Sequence, residues 1–271
     1  MTASALLNKL PVRREPTLPE DPASVAGIPG RAAVARVLDV AKLAVPCRNC
    51  FARGNCHAAS FMAMMSESPN VSRPQPHRFA KGEHVFFEGD TMKSVYFIRA
   101  GAVKTYVTSK AGDEYVSEFH LPGELLSLDA LFGTGVHRTS AVALEDTEVC
   151  AVPAEYFHLF ARQAPGGLQW FLGLAGEKVL RIQHKKILLN RMKAETRMGA
   201  FLLDLSRRFQ ERGCSACEYT LSMSRQDIAN YLGMALETVS RLLGRFQRDG
   251  LLEISQQRRI TILDAAGLAA R

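Results

Sequence analysis

The stretch from Ser224 to Gln247 leaves the chain little choice of structure. Ser224 is a helix N-cap, and Asp227, three residues on, can return the hydrogen bond to the cap. Ala229 is small enough for a close helix crossing, and Gly233 permits the turn that follows. Val239 and Leu242 are spaced to face inward from a second helix. The pattern predicts a helix-turn-helix, an arrangement that lays its second helix in the major groove of DNA. The alternative is a helical hairpin with no nucleic-acid partner, and charge argues against it. Residues 178–271 hold 17 Lys/Arg against 9 Asp/Glu, whereas residues 1–177 hold 17 against 18. The basic excess is confined to the C-terminal third, the footprint of a nucleic-acid-binding module beside a neutral domain.

On the second helix Glu237, Ser240 and Arg241 stand at i, i+3 and i+4 and share one face. Arg suits guanine O6 and N7, Glu accepts from cytosine N4, and Ser adapts to either. Arg245 and Arg248 lie further along, where phosphate contact is expected. Beyond Gly250, the runs Leu251–Ile254 and Arg259–Ile262 predict a hairpin wing around residues 256–258.

Upstream, the period changes from helical to alternating. Val85–Phe87, Ser94–Ile98, Val103–Val107, Tyr115–Phe119 and Glu148–Val152 read as strands. Gly82, Gly89, Gly101, Gly112 and Gly123 punctuate them at the spacing of an all-β barrel or sandwich. Between strands and reading motif, residues 167–196 read as one helix. Leu168, Leu172, Ala175, Val179, Ile182 and Leu189 recur at steps of four and three, with Lys186 interrupting. That spacing reads as the seam of a two-stranded coiled coil and so predicts a homodimer, the alternative being an amphipathic helix packed on its own domain. The domain reading is a mobile arm over 1–40, a cysteine-rich segment over 41–74 and a β domain over 75–166. A dimerisation helix over 167–196 and a DNA-binding domain over 197–271 complete it.

The cysteine segment carries Cys47, Cys50 and Cys56, a C-x2-C-x5-C pattern. Clustered thiols in a loop are a metal or redox site that needs a fourth ligand. No apolar run approaches the roughly 18 residues of a membrane helix, and Asn8, Lys9 and Pro11 break any signal-peptide pattern. A cytoplasmic location is expected, where cysteines more often bind metal than form structural disulfides. A second pair, Cys214 and Cys217, reads as partly exposed spectator thiols, with a redox pair as the alternative. The histidines are scattered, and no nucleophile–base motif or phosphate-cradling loop is visible, so no enzyme is expected.

With these parts placed, the chain resembles the CRP/FNR superfamily, and within it the oxygen-responsive FNR branch. The resemblance runs from Cys47 to Leu268. It is carried by His120-Leu121-Pro122-Gly123-Glu124, by Leu205-Ser206-Arg207-Arg208-Phe209 and by the run from Glu237 to Gln247. It implies an α+β protein: an N-terminal β-roll like that of cyclic-nucleotide-binding proteins, a long dimerisation helix and a C-terminal winged helix-turn-helix. It further implies an oxygen-labile [4Fe–4S] cluster on Cys47, Cys50, Cys56 and, on a late roll strand, Cys150. By the same resemblance Glu237, Ser240 and Arg241 read half-sites of a TTGAT…ATCAA palindrome in double-stranded DNA, and RNA polymerase is a partner. Four thiolates also meet the requirement of such a cluster on chemical grounds.

Two features depart from the family pattern. Phe51 stands where a small polar residue is usual and could shield the cluster from oxygen. Ile182 is an apolar residue at a seam position that is acidic in familiar members, which favours dimerisation without cofactor. Alternatives stay open. Four cysteines are also a zinc set or a thiol switch. The roll could instead bind a small ligand such as a cyclic nucleotide, with Arg138-Thr139 near the phosphate position. Ser127-Leu128 there replaces the Gly-Glu pair that nucleotide-binding relatives use, which removes a ribose partner.

Overall fold

The computed structural model describes residues 50, 56–64, 75–131, 133–164, 166–255 and 258–271. The expected arm, Cys47, Phe51, Gln256 and Gln257 lie outside them. The chain runs α1 (His57–Met64), β1 (Gln75–Phe79), β2 (His84–Phe86), β3 (Ser94–Ala100), β4 (Val103–Thr108), β5 (Glu114–His120), β6 (Leu125–Leu126), α2 (Leu128–Leu131), β7 (Ser140–Ala143) and β8 (Thr147–Pro153). Helices α3 (Ala154–Gln163), α4 (Gly167–Arg191) and α5 (Ala194–Glu211) follow. The chain closes with β9 (Glu218–Thr220), α6 (Arg225–Leu232), α7 (Leu236–Arg248), β10 (Leu252–Ile254), β11 (Arg259–Ile262) and α8 (Ala265–Ala269).

The β domain is a roll of two antiparallel four-stranded sheets, ordered β1-β8-β3-β6 and β2-β7-β4-β5. All five glycines expected to mark turns have positive φ. At Gly101 this is compounded by crowding, because a Cβ would fall 2.8 Å from the Thr147 backbone. The sheets enclose Phe86, Ile98, Val103, Leu126, Ala141 and Val149. Strand alternation sends the neighbours of these residues the other way. Val95, Phe97 and Val152 face outward, into an aromatic layer of Phe61, Phe157, Phe160 and Phe171 supplied by the helices.

Three strands of the roll escaped the sequence pattern. Edge strand β1 carries Pro76 and polar residues, and β6 is only two residues long. In β7 all four residues, Ser140-Ala141-Val142-Ala143, are buried, so no polar face alternates with an apolar one. The long helix also ends sooner than the periodicity predicts. Met192 and Lys193 are extended, and a separate helix, α5, begins at Ala194. No Gly or Pro marks this break, and the second helix turns into the C-terminal core instead of continuing the seam.

That core is continuous with the roll. Val116, Phe119 and Leu121 pack in one cluster with Phe201, Leu205, Ile228 and Leu232, and Phe119 meets Tyr231 at 5.0 Å between ring centres. Behind it lies a buried ion network. Glu124 accepts from Arg208 at 2.8 and 2.9 Å and from Arg212 at 2.5 Å. Arg208 also donates to the Phe119 carbonyl at 2.6 Å, and Arg212 to that of Pro122 at 2.7 Å. Burial alone would raise the pKa of the Glu124 carboxyl, but Arg208 and then Arg212 overcome it and hold it well below the carboxylate range. Burial lowers the pKa of His120, which therefore stays neutral. Its approach to Glu118 and Glu124 is thus a polar contact rather than an ion pair.

Two results are expected. Glu124→Ala should cost about 3–5 kcal/mol in urea unfolding, because it leaves two buried guanidiniums without their carboxylate. Because its folded pKa is depressed, Glu124 stabilises the fold above the unfolded value, about 4.3. That contribution is lost as pH falls toward the folded value. Wild-type stability should therefore fall more steeply with acid than that of Glu124→Gln.

Candidate nucleic-acid interface and cysteine site

Helix α6 starts at a complete capping box. Ser224 Oγ accepts the Asp227 N–H at 3.0 Å, and Asp227 Oδ2 accepts the Ser224 N–H at 2.9 Å. Gly233 ends α6 in the left-handed region. Arg197 of α5 donates to the Leu232 and Gly233 carbonyls at 2.7 and 3.3 Å and so fixes the turn from outside. Ala229 is buried at the crossing, and Val239, Leu242, Leu243 and Phe246 bury the inner face of α7.

The outer face of α7 presents Glu237 and Arg241 exposed, with Ser240 half-buried between them. Arg225, at the start of α6, donates to Ser240 Oγ at 3.3 Å. Sequence reasoning passed over this arginine, since it belongs to the other helix of the motif. Arg248 is exposed. Arg245 is engaged by Glu195 and lies 3.9 Å from Asp249, so a phosphate would have to displace carboxylates to reach it. Strands β10 and β11 form the expected wing hairpin, and β9 adds a third strand that the sequence did not reveal.

The motif is tied to the roll. Lys104 of β4 bonds Asp227 of the capping box at 2.7 Å and Glu114 at 2.6 Å. From α4, Lys185 lies 3.7 Å from the centre of the Tyr231 ring and donates to the Ser117 carbonyl at 2.8 Å. Burial brings the Lys185 ammonium down to about 8.

Along α4, Leu172, Val179 and Ile182 are 63%, 52% and 57% exposed, far beyond what a lone helix packed on its own domain would leave. Leu168 and Ala175 continue this bare stripe. Leu189 is half-buried beside the Gly233 turn, so the exposed stripe stops at Ile182.

The described cysteines of the N-terminal set gather near one surface of the roll. Cys150 sits in β8 opposite Phe97 and Pro76. Val149 faces the roll interior, so Cys150 faces the helical layer, where Cys56 at the foot of α1 packs on the same apolar cluster. Phe61 anchors α1 there, stacked on Phe157 at 4.4 Å, and the His57 ring meets Trp170 of α4 edge-on at 6.3 Å. Arg99, paired with Glu148 at 2.5 Å, is the nearby cation. Burial works to lower its pKa, but Glu148 and then Cys50 and Cys150 hold it above its ordinary value. Among the described residues no three potential ligands converge on one point, and Cys47 lies outside them. The donor set still fits an iron–sulfur cluster chemically. Four thiolates would give such a cluster a negative charge, and the Arg99–Glu148 pair stands near Cys50 and Cys150.

The alternative ligand site of the roll is less well built. Arg138 is exposed, and Ser127 is buried with φ 67° and, among the described residues, no hydrogen-bond partner for its Oγ.

A winged helix-turn-helix joined by a long helix to an effector-type roll defines a DNA-binding transcription regulator. Residues 76–164 match the cyclic nucleotide-binding domain, and residues 196–271 the Crp-like helix-turn-helix domain. The fumarate and nitrate reduction regulatory protein of Salmonella typhimurium is 42% identical over 200 residues, covering 74% of this chain and 78% of that protein. The anaerobic regulatory protein of Haemophilus influenzae is 41% identical over 198 residues, covering 73% and 76%. Among solved structures, FixK2 from Bradyrhizobium japonicum is 30% identical with a TM-score of 0.64, covering 72% of this chain and 95% of that one. The chain belongs to the CRP/FNR family of transcription regulators.

Ser224→Ala should weaken α6 by about 1 kcal/mol, visible as faster amide exchange there. Asp227→Ala should cost more, because it removes the cap's partner and one of the two carboxylates holding Lys104.

Proposed function

We propose that this regulator senses oxygen through a [4Fe–4S] cluster on Cys47, Cys50, Cys56 and Cys150 and binds palindromic DNA as a homodimer when the cluster is intact. The observation that carries the reading is the facing of Cys150. The β8 alternation turns its thiol toward the helical layer, onto the apolar cluster where Cys56 ends the cysteine segment. Two relatives whose names concern fumarate and nitrate reduction and anaerobic regulation support the same reading. When bound, the cluster supplies an oxygen-labile centre. The chain's own residues would supply the four thiolates and the aromatic layer against which Cys56 and Cys150 pack.

The stripe from Leu168 to Ile182 would pair with its copy in a second chain. Two α7 helices then lie related by a twofold axis, as a palindrome requires. A cofactor that binds the paired state more tightly must shift the chain toward it. Glu237, Ser240 and Arg241 would read the TTGAT…ATCAA half-sites, and Arg245 and Arg248 would meet phosphate, with RNA polymerase the downstream partner.

Anaerobic protein should contain about four irons per chain. Serine at Cys47, Cys50, Cys56 or Cys150 should abolish the cluster in each case, read by visible absorbance and iron content; zinc in place of iron would overturn the reading. Ile182→Asp should weaken the dimer in sedimentation, since it sets two carboxylates against each other. Arg241→Ala should lose ~1–3 kcal/mol of discrimination at the G·C pair in anaerobic binding assays. Arg245→Ala should instead weaken all sequences alike, with a shallower salt slope.

A further inference from the structure

Cys214 and Cys217 take no part in the cysteine site, the seam or the reading face. They occupy the joint between α5 and β9. Gly213, with φ 73°, leads out of α5, and the Cys214 N–H donates to the Phe209 carbonyl at 3.0 Å. Ser215 Oγ accepts the N–H groups of Cys217 and Glu218 at 3.2 and 3.0 Å and draws the four residues into a tight bend. Ser206 Oγ holds the bend from α5 by donating to the Ala216 carbonyl at 2.5 Å. On the far side the Ile262 N–H donates to the Cys217 carbonyl at 2.7 Å. Both thiols are free; Cys214 is half-buried and Cys217 exposed.

We propose that Cys214 and Cys217 are a dithiol that a small-molecule disulfide converts reversibly to an intramolecular disulfide, a redox site separate from the other four cysteines. Three Cα–Cα steps of about 3.8 Å separate the pair, and the contacts from Ser215 and Ser206 fold those steps instead of extending them, toward the roughly 4.4–6.8 Å between Cα atoms that a disulfide spans. The bend therefore keeps the two cysteines on one short, folded segment. Cys217, the exposed thiol, attacks the small disulfide as the thiolate. One thiol leaves, taking the proton, and a mixed disulfide remains on Cys217. Cys214 then attacks the Cys217 sulfur, the second small thiol leaves with the other proton, and the S–S bond closes. Two protein thiols are oxidised, and one small disulfide is reduced to two thiols. Zinc would need further ligands, and among the described residues no group of three potential ligands forms around the pair.

The full-length protein, kept anaerobic so that oxygen plays no part, is titrated with glutathione disulfide, quenched with iodoacetamide and digested with trypsin. Cleavage after Arg212 and Arg225 isolates both thiols in one peptide, Gly213–Arg225. That peptide should lose two hydrogens and escape alkylation, and dithiothreitol should restore two alkylated cysteines. Cys214→Ser should accumulate the glutathione adduct on Cys217, because nothing resolves it. Both thiols remaining alkylatable in the wild type would overturn the proposal. So would a glutathione adduct that persists on the wild-type peptide, or a disulfide found only between chains. The wild-type peptide alone decides the matter if the variant fails to fold.

Discussion

A single buried carboxylate holds the two halves of this molecule in register. Glu124 follows the turn at Gly123 in the roll, and its charge is answered chiefly from α5, by Arg208 and Arg212. Neither arginine could be buried alone, and neither could Glu124. The network therefore forms only when roll and reading domain come together, and it draws Phe119 and Leu121 into the core that α5 and α6 share. Lys104 on Asp227 and Lys185 on Tyr231 extend the same attachment to α6. The reading helix is thus held at a definite angle to the roll, and α4 touches both.

The effector side depends on packing more than on charge. Phe61 brings α1 onto the aromatic layer that also receives α3 and the first turns of α4. The cysteine segment therefore ends against the same rings that set the root of the seam helix. The two meet directly through the rings of His57, Phe61 and Trp170.

Much of this was legible in the chain. The five strands with an exposed face, the glycine turns and the cap at Ser224 each leave a local signature. The elements that stayed hidden lacked one: β7 is buried on both faces, β1 is a polar edge, and the break at Met192 has no breaker residue. The network around Glu124 was hidden for another reason. His120–Glu124 and Leu205–Phe209 each stood out as a stretch, but nothing local says that Glu124 and Arg208, 84 positions apart, are partners. Likewise the shared outer face of Glu237, Ser240 and Arg241 followed from helical period alone, whereas Arg225 beside Ser240 and Glu195 on Arg245 are tertiary facts. Leu189, the last residue of the seam pattern, lies half-buried near the Gly233 turn, a neighbour that period counting does not reveal.

The alternation along β8 has a consequence for how such a sensor can change over time. Val149 and Cys150 differ by one step, and that step separates the sealed interior of the roll from the helical side. A single-residue insertion or deletion in the turn before β8 that slid the strand by one would leave every cysteine in place in the sequence. It would nonetheless send the thiol inside and offer valine to the cysteine segment. The length of the short link from β7 to β8, which crosses from one sheet to the other, therefore sets which way the Cys150 thiol faces.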